Sequence, residues 1–292
     1  MTPHDLWILL TAVLVAASLG FVGCFLILRR LAMVGDAISH SVLLGIVVAF
    51  LLTGSTGLLP MVLGAGAAGL LSTWMVELLR RAGVQEDAAT GISFTAFFGL
   101  GVVLLTLHAG DVHLDTQHVL FGDLVYVPFD ILAWRGWELG PRAVWTVGGA
   151  LLIAGLTTWL FFKEFKVIAF DPAFAAVVGL PVAWITWLQT GLVTLVTVAA
   201  FESVGAILAV AMLVAPGATA FLLTDRLESM LGLSVLVGVP AAVAGYGLAS
   251  WFDLSIAGAT ATMAGLLFAL ALLLAPHQGL LARWRARRRT PA

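Results

Sequence analysis

The chain has 292 residues, of which 61% are hydrophobic and only 10% are charged, and its formal net charge is −2. A soluble domain of this length does not need so much apolar surface, so the composition excludes a soluble globular protein. The single Cys24 excludes an intrachain disulfide. The sequence therefore predicts an all-α, polytopic integral membrane protein.

Apolar runs long enough to cross a bilayer recur along the whole chain. The first lacks the basic flank of a cleaved signal peptide, so we interpret it as a retained helix. Val182–Leu223 has no charged residue except Glu202, and it is either a tight helical hairpin or one helix with a re-entrant segment. This leaves eight or nine spans. The predicted boundaries are 6–28, 36–54, 58–79, 88–107, 143–162, 182–200, 201–223, 229–251 and 255–275.

The second span begins with the segment VGDAISH, residues 34–40, in which Asp36 and His40 stand four positions apart. This spacing puts both side chains on one helical face, so they can converge on one point. A carboxylate oxygen with an imidazole nitrogen suits divalent manganese, iron or zinc, and ionisable groups in a span are functional-site hypotheses. The alternative interpretation is an aspartate that caps the helix and a histidine packed against a neighbouring helix.

Residues 108–142 are predicted to form an extracytoplasmic loop. The first part of this loop is rich in imidazoles and carboxylates, namely His108, Asp111, His113, Asp115, His118 and Asp123. Their spacings match no closed metal site, so we interpret the loop as a docking surface for a partner. Glu202 is either a carboxylate on the path of a cation or a solvated group at the outer turn of a hairpin.

Residues 168–181 contain a short predicted helix outside the membrane. Asp171 is placed to cap it, Pro172 to occupy its first position, Gly179 to end it and Pro181 to prevent its continuation. An isolated helix this short is marginal in water. We therefore expect a cytoplasmic subunit to pack against it, with lipid or the rest of the chain as the alternatives.

The basic residues predict the orientation, because cytoplasmic loops are enriched in Lys and Arg. If the N-terminus is outside, only Arg135 and Arg142 lie on the outer face. The tail 277–292 is then cytoplasmic, and we expect it to contact lipid headgroups rather than nucleic acid. The basic residues on the inner face are Arg29, Arg30, Arg80, Arg81, Lys163, Lys166, Arg226, Arg283, Arg285, Arg287, Arg288 and Arg289.

The chain lacks the sequence signatures of a self-powered transporter or of a membrane enzyme. It has no GxxxxGK[ST] phosphate loop, no GxSxG nucleophile turn and no HExxH zinc helix. We therefore predict a transporter subunit that is not an enzyme, holds no permanent cofactor and takes its energy from another polypeptide.

Four segments together resemble the membrane permease subunit of ATP-binding-cassette importers for manganese, zinc or iron, of the ABC-3 type. The similarity runs in order from about residue 6 to residue 276. The segments are RRLAMVGDAISHSVLLGIVVAFLL, EDAATGISFTAFFGLGVVLL, AFDPAFAAVVGLPV and FESVGAILAVAMLVAPGATAFLLTDRL.

The resemblance implies a single permease domain over residues 1–292, with a type II ABC-importer-like fold, in the bacterial plasma (inner) membrane. It also implies a homodimer or a pair of similar permeases, a cytoplasmic ATP-binding subunit and an extracytoplasmic metal-binding protein. Asp36 and His40 would be metal ligands within the membrane. The residues of the implied ATPase-coupling helix are Asp171, Pro172, Phe174, Gly179, Leu180 and Pro181.

We favour manganese as the transported ion, because the predicted ligands are oxygen and nitrogen without thiolate, although zinc and iron accept the same set. Glu202 stays a possible further ligand. Two other functions remain open. A permease for chelated iron or a vitamin would want a wide apolar tunnel without convergent ligands. A proton-coupled secondary metal transporter would carry acidic groups spread through its spans and would need no coupling helix.

Overall fold

A computed structural model of the chain describes residues 3–55, 57–108, 124–134, 137–275 and 279–281. The helices in this part are α1 (Pro3–Leu28), α2 (Val34–Thr53), α3 (Leu58–Arg81), α4 (Glu86–His108), α5 (Arg142–Leu160), α6 (Phe162–Phe170), α7 (Pro172–Val177), α8 (Val182–Leu223), α9 (Leu227–Phe252) and α10 (Ile256–Leu274). Two antiparallel strands, β1 (Ile131–Trp134) and β2 (Trp137–Pro141), precede α5. The basic residues of the tail and the loop residues Asp111, His113, Asp115, His118 and Asp123 lie outside the described residues.

Eight helices in the described part are long and apolar enough to cross a membrane. The prediction of an all-α, polytopic membrane protein is confirmed, and the helix ends agree with the predicted spans within a few residues. Two elements were not predicted. They are helix α6, which adds a second helix to the predicted inner segment, and the strand pair. These elements are too short to produce an apolar run of membrane-spanning length that the sequence could reveal.

Helix α8 is 42 residues long, about twice the length that one crossing needs. Its helical geometry is interrupted at Gly205, where φ is 71° and ψ is 177°. That backbone conformation is open to glycine and strained for other residues. Val182 and Glu202 both precede this break. Val182, at the start of α8, lines a cavity together with Arg29. Glu202, just before the break, lines a different cavity together with Arg142.

The far end of α8 returns to the side on which the helix began. Helix α9 follows directly, and its Glu228 accepts a 2.7 Å hydrogen bond from Lys166 of α6. Ile168, on that same helix α6, lines the cavity that contains Arg29. Helix α8 is therefore a hairpin that turns near Gly205, a few residues later than the predicted boundary, and it crosses the bundle twice. Counting both halves gives nine crossings in the described part of the chain.

The bundle consequently has two chemically different ends. We call the end that carries Arg29, Arg80 and Lys166 the basic end. The opposite end carries Arg142 and the strand pair.

Glycines permit the closest helix crossings. A Cβ atom at Gly23 in α1 would collide with the backbone carbonyl oxygen of Leu213 in the second half of α8. Gly45 of α2 and Gly64 of α3 face each other in the same way, and each would strike the carbonyl oxygen of the other. In lipid the association of helices depends on such close packing, since apolar side chains gain nothing by leaving hydrocarbon. These crossings hold α1 against the second half of α8 and α2 against α3.

We expect Gly23→Ala to destabilise the protein by about 1–3 kcal/mol, because the added methyl group must separate α1 from α8. Gly149→Ala in α5 is the matched control, since apart from its own helix backbone and chain neighbours nothing lies within 4 Å of the place that its Cβ would take. It should be neutral, or stabilising by up to about 1 kcal/mol through helix propensity. Thermal unfolding of the purified protein in detergent measures both, and equal melting temperatures would contradict the proposed crossing.

Candidate functional site

The first turn of α2 carries the predicted Asp36–His40 pair. The helix begins after Met33, which offers no side-chain cap. Asp36 lies in the first helical turn, where the positive end of the helix dipole stabilises a carboxylate. Gly35 lies against the side chain of Leu213, which fixes the start of α2 on the second half of α8. The pair therefore lies on a helix whose start packs closely against α8, near the basic end of the bundle.

The two side chains meet, as their spacing predicted. His40 Nε2 lies 3.3 Å from Asp36 Oδ1. The imidazole is 27% exposed and the carboxylate 30% exposed. One oxygen donor and one nitrogen donor thus stand side by side, and both side chains are partly exposed on the surface of this chain.

Two phenyl rings of α4 hold the imidazole. The ring centroid of Phe94 is 5.3 Å from that of His40, and the ring of Phe98 meets it edge-on at 5.6 Å. The histidine therefore packs against a neighbouring helix and at the same time keeps Nε2 beside the carboxylate. The sequence contained a signal for this contact, because Phe94 and Phe98 are themselves four positions apart and share one helical face.

The pair has few other ligands around it. Among the described residues, no group of three or more His, Cys, Asp or Glu side chains is close enough to hold a metal ion. Closed metal sites use four or more protein ligands. The two donors of one chain are therefore suited to brief contact with a cation, with its other ligands coming from water or from a second polypeptide.

Glu202 lies elsewhere, beside a cavity of about 240 Å³ at the opposite end of the bundle. Asp130 and Arg142 also line this cavity, so two carboxylates and one guanidinium face it. Glu202 is exposed, and its neighbour Ser203 donates a hydrogen bond to the carbonyl oxygen of Ala200. In the described part of the chain, Glu202 does not join Asp36 and His40 in a group close enough to hold a metal ion. Its position agrees with a solvated carboxylate near the hairpin turn.

Helix α7 forms as the sequence predicts. The carboxylate of Asp171 accepts a 2.9 Å hydrogen bond from the backbone N–H of Phe174, and Pro172 begins the helix. Gly179 follows the helix with φ at 88°, a left-handed conformation that ends it. Pro181 then precedes α8.

One side of α7 is buried and the other is exposed. Ala175 is fully buried, whereas the side chains of Phe174, Val177 and Val178 are 55%, 87% and 60% exposed. This apolar surface belongs to the basic end, where Lys166 and Glu228 form an exposed ion pair. Exposed apolar patches of this kind mark interaction sites. We call Phe174, Val177 and Val178 the α7 patch.

Comparison with known proteins gives one consistent result. The sequence profile described as "ABC 3 transport family" matches residues 4–275. The chain is 47% identical over 279 residues to the manganese transport system membrane protein MntD of Bacillus subtilis (strain 168), covering 96% of this chain and 95% of that protein. It is 44% identical over 277 residues to the zinc transport system membrane protein TroD of Treponema pallidum (strain Nichols), covering 94% of this chain and 75% of that protein. The structure of PsaBC from Streptococcus pneumoniae in complex with Fab has a TM-score of 0.80, at 31% identity over 99% of this chain and 96% of the matched chain.

We expect Asp171→Ala to loosen α7, because loss of an N-cap costs about 0.5–2 kcal/mol and the helix has only six residues. Asp171→Asn is the control, since its amide oxygen can still accept the hydrogen bond from Phe174. Hydrogen exchange of the α7 amides should accelerate about 2- to 30-fold in the alanine variant, following that free energy, and little in the asparagine variant. Unchanged exchange in both would show that the cap contributes nothing.

Proposed function

The chain belongs to the ABC 3 transport family, and from this premise we propose that it is the membrane permease subunit of an ATP-driven importer of a divalent metal ion. The relatives named for manganese and zinc transport cover nearly the whole chain, so the proposal concerns the protein as a whole. The observation that carries it is the Asp36–His40 pair, whose donor atoms lie 3.3 Å apart and accessible.

The pair acts as a transit site for the metal. Two ionisable groups near the membrane interior are costly without a partner, and a passing cation offsets that cost. A transport site must bind weakly enough to release its ion, which suits two donors per chain. A second copy of the permease, or a similar chain, would supply two further donors and complete the ligand set.

The basic end faces the cytoplasm in this proposal. Cytoplasmic segments of membrane proteins are enriched in Lys and Arg, and Arg29, Arg80 and Lys166 all belong to that end. The N-terminus is then outside and the basic tail inside, in a bacterial plasma membrane. An extracytoplasmic binding protein delivers the ion to the opposite end, near Glu202.

The α7 patch is the contact for the cytoplasmic ATPase. It combines exposed apolar side chains with a helix whose two ends are fixed by Asp171 and Gly179. It is connected to α8 through only a few residues, so movement of the ATPase reaches the hairpin directly. The chain itself carries no phosphate-loop signature, which makes this contact the route by which ATP hydrolysis drives transport.

Manganese is the favoured ion. The donors are one oxygen and one nitrogen without a thiolate, a set that manganese accepts and that zinc and iron also accept. A relative named for manganese transport is 47% identical to this chain, and one named for zinc transport is 44% identical. Selectivity therefore depends mainly on the protein that delivers the ion.

We expect Asp36→Asn and His40→Leu each to lower metal transport by about 10- to 100-fold or more, since loss of groups that support a metal site costs about that much. Asp87→Asn in α4 is the matched control for the carboxylate, because it removes the same group from an exposed position outside the pair. The measurement is manganese uptake into proteoliposomes that contain equal amounts of permease with its ATPase and are supplied with the metal-binding protein. Near-normal uptake by both Asp36 and His40 variants would remove the transit site.

We expect Val177→Asp to abolish copurification of the ATPase, because it places a charge in the centre of the α7 patch while leaving the buried side of α7 unchanged. Val125→Asp is the control, since Val125 is also exposed but lies near Arg142 at the opposite end. Retention of the ATPase by the Val177 variant would assign the α7 patch to another partner, whereas the control should bind as the wild type does.

A further inference from the structure

The largest cavity that we describe lies at the basic end and has a volume of about 630 Å³. Cavities of about 300–1,000 Å³ accommodate small ligands. Four guanidinium groups line it, from Arg29, Arg30, Arg80 and Arg81, against one lining carboxylate, that of Glu77. The excess of positive charge in this cavity repels cations and attracts anions. The cavity therefore differs from the Asp36–His40 pair, whose donors suit a cation.

The carboxylates near the cavity neutralise only part of this charge. Glu77 pairs with Arg81 at 2.9 Å and with Arg80 at 3.5 Å, and Glu86 pairs with Arg80 at 3.5 Å. Within the described part of the chain, neither Arg29 nor Arg30 has a carboxylate within 4 Å. Burial, together with the charge of Arg80, lowers the pKa of Arg29. Glu77 and Glu86 act on Arg29 only from beyond 4 Å, so neither Arg29 nor Arg30 forms a close ion pair in the described part of the chain.

Arg30 occupies a backbone position where glycine is usual. Helix α1 ends with hydrogen bonds from the N–H of Leu31 to the carbonyl oxygen of Leu26 and from the N–H of Arg30 to that of Ile27. In this arrangement, the Schellman motif, the residue in the place of Arg30 is left-handed and is most often glycine. Arg30 accordingly has φ at 61°. A charged side chain kept at a strained position indicates a use for its charge.

The other lining residues are mostly apolar, with the hydroxyl-bearing Thr73, Thr186 and Thr190 among them. The apolar ones include Val76 of α3, Ile168 of α6 and the ring of Trp187 in α8. A ligand that matches both parts carries a negative charge that can pair with guanidinium forks, and it has an apolar portion. Arginine recognises phosphate through paired N–H donors, and basic pockets between membrane helices bind anionic lipid headgroups.

We propose that this cavity binds a phosphate group through Arg29 and Arg30, either in the headgroup of an anionic phospholipid or in a soluble polyphosphate. The two sources share the same recognition by guanidinium, and the apolar walls match the lipid. The proposal uses none of the residues of the transit site, although Pro172 at the start of α7 also lines the cavity.

The test is the thermal unfolding of the full-length protein in neutral detergent, with phosphatidylglycerol, phosphatidylcholine or inorganic pyrophosphate added. Phosphatidylglycerol should raise the melting temperature more than phosphatidylcholine does. If pyrophosphate reproduces that rise in the absence of added lipid, the source is a soluble phosphate. If phosphatidylglycerol produces the rise and pyrophosphate does not, the source is a lipid. Equal effects of the two lipids without a pyrophosphate effect, or no rise with any addition, would overturn the proposal.

Two variants separate binding from folding. Arg29→Gln and Arg30→Gly should each reduce the phosphate-specific rise by at least half. Arg30→Gly is the sharper test, because glycine relieves the left-handed strain and should maintain or raise the melting temperature without ligand. Lys163→Gln is the control, since it removes an exposed positive charge from α6 outside the cavity. A full rise in both arginine variants would refute the site.

Discussion

The cost of placing charge inside a bilayer organises this molecule. A charged group at the centre of a membrane helix costs about 2.5–3.5 kcal/mol on insertion scales, so charge collects at the two ends of the bundle and the middle is left apolar. Asp36 and His40 lie slightly inside the end of the bundle, in the first two turns of α2, and their side chains contact each other. The same constraint makes the α7 patch unusual, because its exposed apolar side chains lie at the charged end of the bundle rather than in contact with lipid.

Much of the architecture could be predicted because long apolar runs have few alternatives to helices in lipid. The convergence of Asp36 with His40 and the cap at Asp171 followed from spacing within single helices. Contacts between helices did not follow from the sequence in the same way. Phe94 and Phe98 share a face, but no local rule states that this face meets His40, since the crossing depends on glycines in several helices.

The cavity at the basic end illustrates the same limit. Its arginines were visible in the sequence as markers of orientation, two after α1 and two at the end of α3. Their convergence around one space depends on the packing of α1, α3 and α8. The sequence did not reveal the left-handed conformation of Arg30 either, because glycine is the residue usually found at such positions after a helix. Residues that contradict a local preference are therefore informative only after the backbone is known.

The turn of α8 at Gly205 has a consequence for how the protein enters its membrane. No polar loop separates the two halves, and Glu202 is the only charged residue between Val182 and Leu223. The turn contains no polar segment that could hold the first half in the membrane apart from the second. We therefore expect the two halves to leave the translocon together, as one hairpin. The glycine that shapes the folded protein thus also determines the unit in which this part of the chain is inserted during synthesis.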